Sequence, residues 1–175
     1  YKADLRNQTQ PLSSWIVPSF EEGTYEVDAN LSSATNQEGA RQVAQIFGDR
    51  AFNYAKPASL IKGLLSQATR PGDTVLDFFA GSGTTGQAVL ELNAEDGGNR
   101  QFILVQIPQP IDPKKQKEAH SFVTQTLGKP EATIFEITAE RLFAWLCWGR
   151  PAFEQGAPEQ RASLLRSAAR QARLL

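Results

Sequence analysis

Residues Val75 to Gly86 read VLDFFAGSGTTG, an apolar run that stops in a glycine-rich turn. What that turn is built to hold decides both fold and function. Thr74 to Phe79 has the composition of a short strand buried on both faces, and from Gly83 to about Leu92 the apolar residues Ala88, Val89 and Leu92 return at helical spacing. After the loop AEDGGNR, residues Gln101 to Ile107, QFILVQI, read as a second buried strand. Strand, helix and strand in direct succession predict a right-handed crossover between two parallel strands. In an open parallel sheet, ligands sit beyond the carboxyl ends of the strands, where the amides of the following helix point outward. Gly81, Gly83 and Gly86 stand at that end.

Their spacing matches the dinucleotide pattern G-x-G-x-x-G, which by itself is a weak signal and also fits a tight turn made for packing. A phosphate loop needs Lys and then Ser or Thr straight after its last glycine; Gln87 and Ala88 stand there instead. A nicotinamide site favours an acid at the end of the second strand for the ribose hydroxyls, and here that strand ends in Gln106, followed by Pro108, Gln109 and Pro110. Asp77 lies four residues before Gly81, where a carboxylate suits a cationic ammonium group across the turn and would repel a pyrophosphate.

Working outward, Thr35 and Glu38 sit at capping-box spacing before Ala40, Val43, Ala44 and Phe47, with Gly48 as a stop, which predicts a short helix. Pro57 takes the first position of a second helix whose apolar stripe is Leu60, Ile61, Leu64, Leu65 and Ala68. Residues 1 to 34, rich in Ser, Thr and Asn, read as loop with a short strand. Beyond the second strand, Asp112 and Pro113 open a Lys-rich segment expected to be helical to about Leu127. TIFEI from Thr133 to Ile137 reads as a third strand, Thr138 to Trp148 as a helix, and Pro158 to Leu175 as an Arg-rich stretch, either a solvated surface helix or a docking or DNA-backbone arm.

The 175 residues, 41% hydrophobic, suffice for one sizeable core, and the net charge of -1 neither advertises nor excludes nucleic acid. A single cysteine, Cys147, rules out an internal disulfide and leaves no cluster for a structural zinc, so no metal ligand is assigned. No apolar segment reaches the roughly 18 residues of a membrane span. The expectation is a soluble, cytoplasmic protein with no membrane partner. The lone His120 reads as a solvated surface residue, and Trp145 and Trp148 as core or interface aromatics. The chain begins at Tyr1 and contains no Met, which suggests a piece of something longer.

The combination of Asp77, Phe79, Gly81 and Gly83 resembles the first motif of AdoMet-dependent methyltransferases that act on amino groups of DNA bases. AFNYAKPASLIKGLL and the stretch from Asp73 to Asp112 resemble the modification subunit of type III restriction-modification systems, an adenine-specific DNA methyltransferase. ATNQEGARQVAQIFG is similar too, and EITAERL more loosely; the resemblance is strong over roughly residues 33 to 112. It implies a Rossmann-like methyltransferase fold of class α/β, with a parallel sheet and flanking helices, present as its cofactor-binding half over residues 35–148. Residues 1–34 would then be the end of a target-recognition region or a linker, and 149–175 a linker with an Arg-rich helix.

The resemblance also implies S-adenosyl-L-methionine as cofactor and gives residues their roles. Asp77 would pair with the methionine ammonium, and the backbone of Phe78, Phe79, Ala80, Gly81, Ser82, Gly83 and Thr84 would wrap the methionine end. Lys56, Pro57 and Leu60 match the segment whose helix N-terminus meets the cofactor carboxylate. Thr84 and Thr85 would bond that carboxylate or cap their helix. Gln106 stands where related enzymes carry an acid for the ribose, and Gln109 where the type III family often shows Glu. An amide oxygen can still accept from a hydroxyl. The family's catalytic motif, Asp- or Asn-Pro-Pro-aromatic, holds the flipped adenine, and the chain contains no such motif, so no catalytic residue is assigned here. The partners implied for the full-length enzyme are DNA, a restriction subunit and a second copy. A non-catalytic AdoMet-binding or docking remnant and a nicotinamide-dependent oxidoreductase are the alternative readings.

Overall fold

The structure, a computed structural model, describes residues 16–18, 31–48 and 51–155. Two short strands, β1 (Ile16–Pro18) and β2 (Leu31–Ser33), pair in parallel. Helix α1 (Asn36–Phe47) follows at once. Thr35 caps it by accepting from the Glu38 amide at 3.4 Å, and Gly48 ends it in the left-handed region at φ 73°. The reciprocal half of the capping box is absent, because the Glu38 carboxylate turns to Arg41 at 2.8 Å.

Helix α2 (Ala58–Ala68) starts one residue later than expected. Pro57 is its N-cap, extended at ψ 134°, and its ring is fully buried. The helix packs against α3 (Thr84–Asp96), and Lys62 reaches across to Glu95 at 2.6 Å. Its apolar stripe is only half-buried at Leu60, Ile61 and Leu65, and Leu64 and Ala68 are exposed.

Strand β3 (Thr74–Asp77) pairs in parallel with β4 (Gln101–Leu104), in the register Thr74 to Gln101 through Asp77 to Leu104, with α3 as the connection. Both strands are shorter than the apolar runs that announced them. Beyond Asp77 and Leu104 the backbones still touch, the Val105 amide donating to the Asp77 carbonyl and the Ala80 amide to the Val105 carbonyl. The expectation of burial on both faces fails: Val75, Phe102 and Leu104 are half-buried, whereas Leu76 and Ile103 are 49% and 54% exposed. Gly86 brings α3 onto one face, since a Cβ there would lie 3.1 Å from Leu104 and 3.4 Å from Phe102. The described elements leave the other face open.

After β4, Asp112 receives the amides of Lys114 and Lys115, and the chain becomes helical in α4 (Lys117–Ser121), continuing as a π-helical turn over Phe122–Thr126. His120, on α4, is half-buried rather than solvated. The third strand expected at TIFEI does not form. Only Thr133 pairs, in an antiparallel bridge to Pro110, and α5 runs from Ile134 to Gln155. The reason is periodicity: Ile137, Thr138, Arg141 and Ala144 are all buried, and their spacing is that of one helical face. The strand preference of these β-branched residues is context-dependent and yields to that tertiary demand.

The core lies on the helical side. Val43, Ile46 and Phe47 of α1 meet Ile111, Phe122, Val123, Leu127, Ile137 and Ala144, and the rings of Phe47 and Phe122 stand 4.6 Å apart. The side chains of Cys147 and Trp148, and the Arg-rich stretch from Pro158, lie outside the described residues.

Candidate functional site

A cleft of about 230 Å³ opens at the carboxyl end of β3, between the glycine turn and the segment that enters α2. One wall is Asp77, Phe79, Ala80, Gly81, Ser82, Thr84 and Thr85; the facing wall is Phe52, Tyr54, Ala55, Lys56 and Ile61. The second wall depends on a close approach. A Cβ at Gly39 of α1 would fall 2.2 Å from the Ala55 carbonyl oxygen, so only glycine lets α1 seat the chain at residues 55–57.

The turn itself requires left-handed backbone at Gly81 (φ 55°) and Gly83 (φ 79°), the latter capping α3. Asp77 is oriented by two donors: the Phe79 amide on Oδ1 at 2.9 Å and the Thr85 hydroxyl on Oδ2 at 2.6 Å. A carboxylate has about four acceptor positions, so it keeps capacity for a cationic donor in the cleft. Lys56 faces it from the other wall, its Nζ donating to Asn36 Oδ1 at 3.3 Å. The turn amides at the start of α3 point out of the helix, as the first amides of any helix do.

Gln106 does not line the cleft. Its Oε1 accepts the Gly81 amide at 2.7 Å and its Nε2 donates to the Ile107 carbonyl at 2.9 Å, so it ties the end of β4 to the turn. Pro57 is buried behind the wall, and the first amide of α2, that of Ala58, is taken by Gln42 Oε1 at 3.2 Å. Phe78 is 63% exposed and, like Gly83, is not among the lining residues. The structure thus gathers Lys56, Asp77, Phe79, Ala80, Gly81, Ser82, Thr84 and Thr85 around one space, and sets Pro57, Phe78, Gly83 and Gln106 behind or beside it.

Residue-by-residue reading of the sequence overlooked the floor. Arg141 of α5 is fully buried, and its guanidinium donates to Ser82 Oγ at 2.8 Å, Thr84 Oγ1 at 3.0 Å and Gln87 Oε1 at 2.7 Å. Burial lowers its pKa to about 10, which leaves it cationic at neutral pH. Thr138 donates to the Gly81 carbonyl from the same helix. The signal was present: Arg141 falls four residues after Ile137 and three before Ala144, on the face that the core claims. Phe52 and Tyr54 were overlooked too, although both stand just before Lys56 in the sequence.

A family of proteins described as DNA methylase matches residues 2–135, including both walls of this cleft. The chain belongs to the DNA methylase family. The chain is 41% identical over 111 residues to the Mod subunit of the type III restriction-modification enzyme StyLTI of Salmonella typhimurium, covering 62% of the chain and 15% of that protein. It is 37% identical over 133 residues to the EcoPI Mod subunit of Escherichia phage P1, covering 76% of the chain and 17% of that protein. The type II methyltransferase M.KpnI of Klebsiella pneumoniae is 38% identical over 82 residues, 47% of the chain and 20% of that protein. The chain therefore spans between 15% and 20% of the length of these relatives. Among its described residues no helix is long and apolar enough to cross a membrane, and no three His, Cys, Asp or Glu side chains group to hold a metal.

Proposed function

We propose that the cleft holds S-adenosyl-L-methionine, and that the chain is the cofactor-binding part, Rossmann-like in fold, of a site-specific DNA adenine methyltransferase of the type III Mod kind. The observation that carries this reading is the Asp77 carboxylate, fixed by Phe79 and Thr85 at the rim of a turn that two left-handed glycines keep open to a ligand. Those donors and acceptors fit an amino-acid zwitterion: Asp77 receives an ammonium, and Lys56 with the turn amides receives a carboxylate. Phe79, 86% exposed, offers an apolar ring to the adenosyl part. When bound, the cofactor supplies a methyl group carried on a sulfonium.

In this reading residues 35–148 form the cofactor-binding core and Gln106 serves as a clamp on the turn. DNA is the substrate of the full-length enzyme, a restriction subunit and a second copy are its partners, and its place is the cytoplasm. No two prolines adjoin in the chain, so residues that grip the adenine would have to come from outside these 175. The isolated chain should then bind cofactor yet transfer no label from radiolabelled S-adenosyl-L-methionine to duplex DNA; measurable adenine methylation would show that the reacting groups lie here. The cofactor assignment is tested by calorimetry on Asp77→Ala, expected to weaken binding by roughly 1.5 to 3 kcal/mol, the scale of a charged hydrogen bond. Equal affinity in both proteins, or tighter binding of NAD by the unaltered chain, would overturn it.

A further inference from the structure

The geometry points to Arg141 as the positioning residue of this site: it fixes the glycine turn against the Lys56 wall and thereby sets ligand affinity without touching the ligand. The inference rests in part on the cleft being the ligand site.

Arg141 and the turn are more than 50 residues apart in sequence, and they meet through four hydrogen bonds. Every acceptor is neutral: the Gln87 amide, the Ser82 carbonyl and the hydroxyls of Ser82 and Thr84. The carboxylate of Glu91 reaches the guanidinium only through Gln87, whose Nε2 donates to Glu91 Oε1 at 2.7 Å. A buried cation with no direct counter-ion is poor value for stability, and an apolar side chain of the same volume commonly serves as well or better. Moreover, Arg141 Nη2 is buried with no hydrogen-bond partner. Packing alone therefore does not account for an arginine here.

What an apolar residue could not supply is direction. By donating to Thr84 Oγ1, Arg141 Nη1 leaves that hydroxyl free to donate its own proton to the Lys56 carbonyl oxygen at 3.3 Å. Thr84 stands in one wall of the cleft and Lys56 in the other. The relay Arg141 to Thr84 to Lys56 thus fixes the separation of the walls. Ser82 Oγ, also engaged by Arg141 and within 3.2 Å of Thr84 Oγ1, is held to the floor. With both hydroxyls turned inward, and the amides of Ala80, Gly81 and Gly83 bonded to the Val105 carbonyl, Gln106 Oε1 and the Ala80 carbonyl, the turn is held in one conformation between the walls. Thr138, donating to the Gly81 carbonyl, anchors the same turn from the previous turn of α5.

The test uses Arg141→Met, which keeps the volume and removes the fork, and Arg141→Lys, which keeps the charge with different donors. Two readouts are taken well below the melting temperature: hydrogen exchange at the hydrogen-bonded turn amides of Ala80, Gly81 and Gly83, and calorimetric affinity for S-adenosylhomocysteine. Arg141→Met is expected to stay folded, to exchange the turn amides at least 10-fold faster with α1 and the Phe122 cluster unchanged, and to bind at least 10-fold more weakly. Arg141→Lys should fall between it and the unaltered chain in both. Unchanged exchange at the turn would overturn the inference, as would faster exchange with unaltered affinity. Should the unaltered chain bind no S-adenosylhomocysteine, the ligand reading fails while the exchange data still decide whether Arg141 holds the turn. Should Arg141→Met not fold, Thr84→Val breaks the relay from the other side and is judged by the same two readouts.

Discussion

Phe122, on the π-helical turn, is 1% exposed and sets its ring, tilted, against that of Phe47 at 4.6 Å, whereas Ile103, in a run of sequence at least as apolar, is 54% exposed. The two residues belong to regions solved in different ways. Around Phe122, three helical segments converge from α1, the stretch after β4 and α5, so each apolar group finds partners on every side. Around Ile103, α3 covers one face of a two-stranded pair and the described residues put nothing on the other. Burial is thus a property of the layers available, and apolar composition only makes it favourable. The cleft lies where the regions join: its floor is bolted to α5 by Arg141, and its rim rises from the open sheet at Asp77.

The largest effect expected from breaking this contrast comes from Phe122→Ala. A fully buried ring lost from a packed cluster costs about 3 to 5 kcal/mol, read as a drop in the urea midpoint. A loss under 1 kcal/mol would mean that the cluster around α1 is not the core. A second effect comes from the polar group that the helical side also buries. Glu140, beside Arg141 on α5, is 8% exposed and its Oε1 has no hydrogen-bond partner. Burial pushes its pKa up to about 7, partly offset by Lys129 and reinforced by Glu136. Between its ordinary value of 4.5 and about 7 the folded chain therefore binds more protons than the unfolded one, and stability falls as pH rises through that window. The fall is at most roughly 3 kcal/mol. Glu140→Gln should flatten it, as measured by urea denaturation at both ends of the window; an unchanged pH profile would assign the dependence to another group.

How much of this could be read beforehand differs between the same two regions. The turn was legible residue by residue, because left-handed glycines and an adjoining carboxylate are local demands written in VLDFFAGSGTTG. Helices α1 and α2 announced themselves by caps and stripes. TIFEI misled because Thr133, Ile134 and Ile137 favour strands, while the partners that make Ile137 and Arg141 one buried face lie almost 100 residues away in α1 and more than 50 away in the turn. The floor was hidden for the same reason. An arginine in a helix is normally solvated, and only the position of α5 beneath the turn makes Arg141 internal. Gln106 stood in the right place for a contact, but its direction, toward the Gly81 amide, is set by the end of β4.

The smallest expected effect sharpens the comparison from the open side. Ile103→Thr keeps β-branching, and with it the strand preference of β4, and removes apolar surface that the described structure leaves half in water. Such surface changes stay within roughly 0.5 kcal/mol, so the urea midpoint should hardly move. The contrast with Phe122→Ala would then be nearly tenfold in energy within one chain. The opposite result is informative too. If Ile103→Thr costs as much as a core substitution and the melting temperature of the unaltered chain rises with its concentration, the face is covered in solution by a second copy, because only association makes stability depend on concentration. If the cost is large but independent of concentration, residues of the chain outside those described cover the sheet, and the two regions differ less than they look. A small cost at every concentration leaves Leu76 and Ile103 as the solvent face of a half-covered sheet.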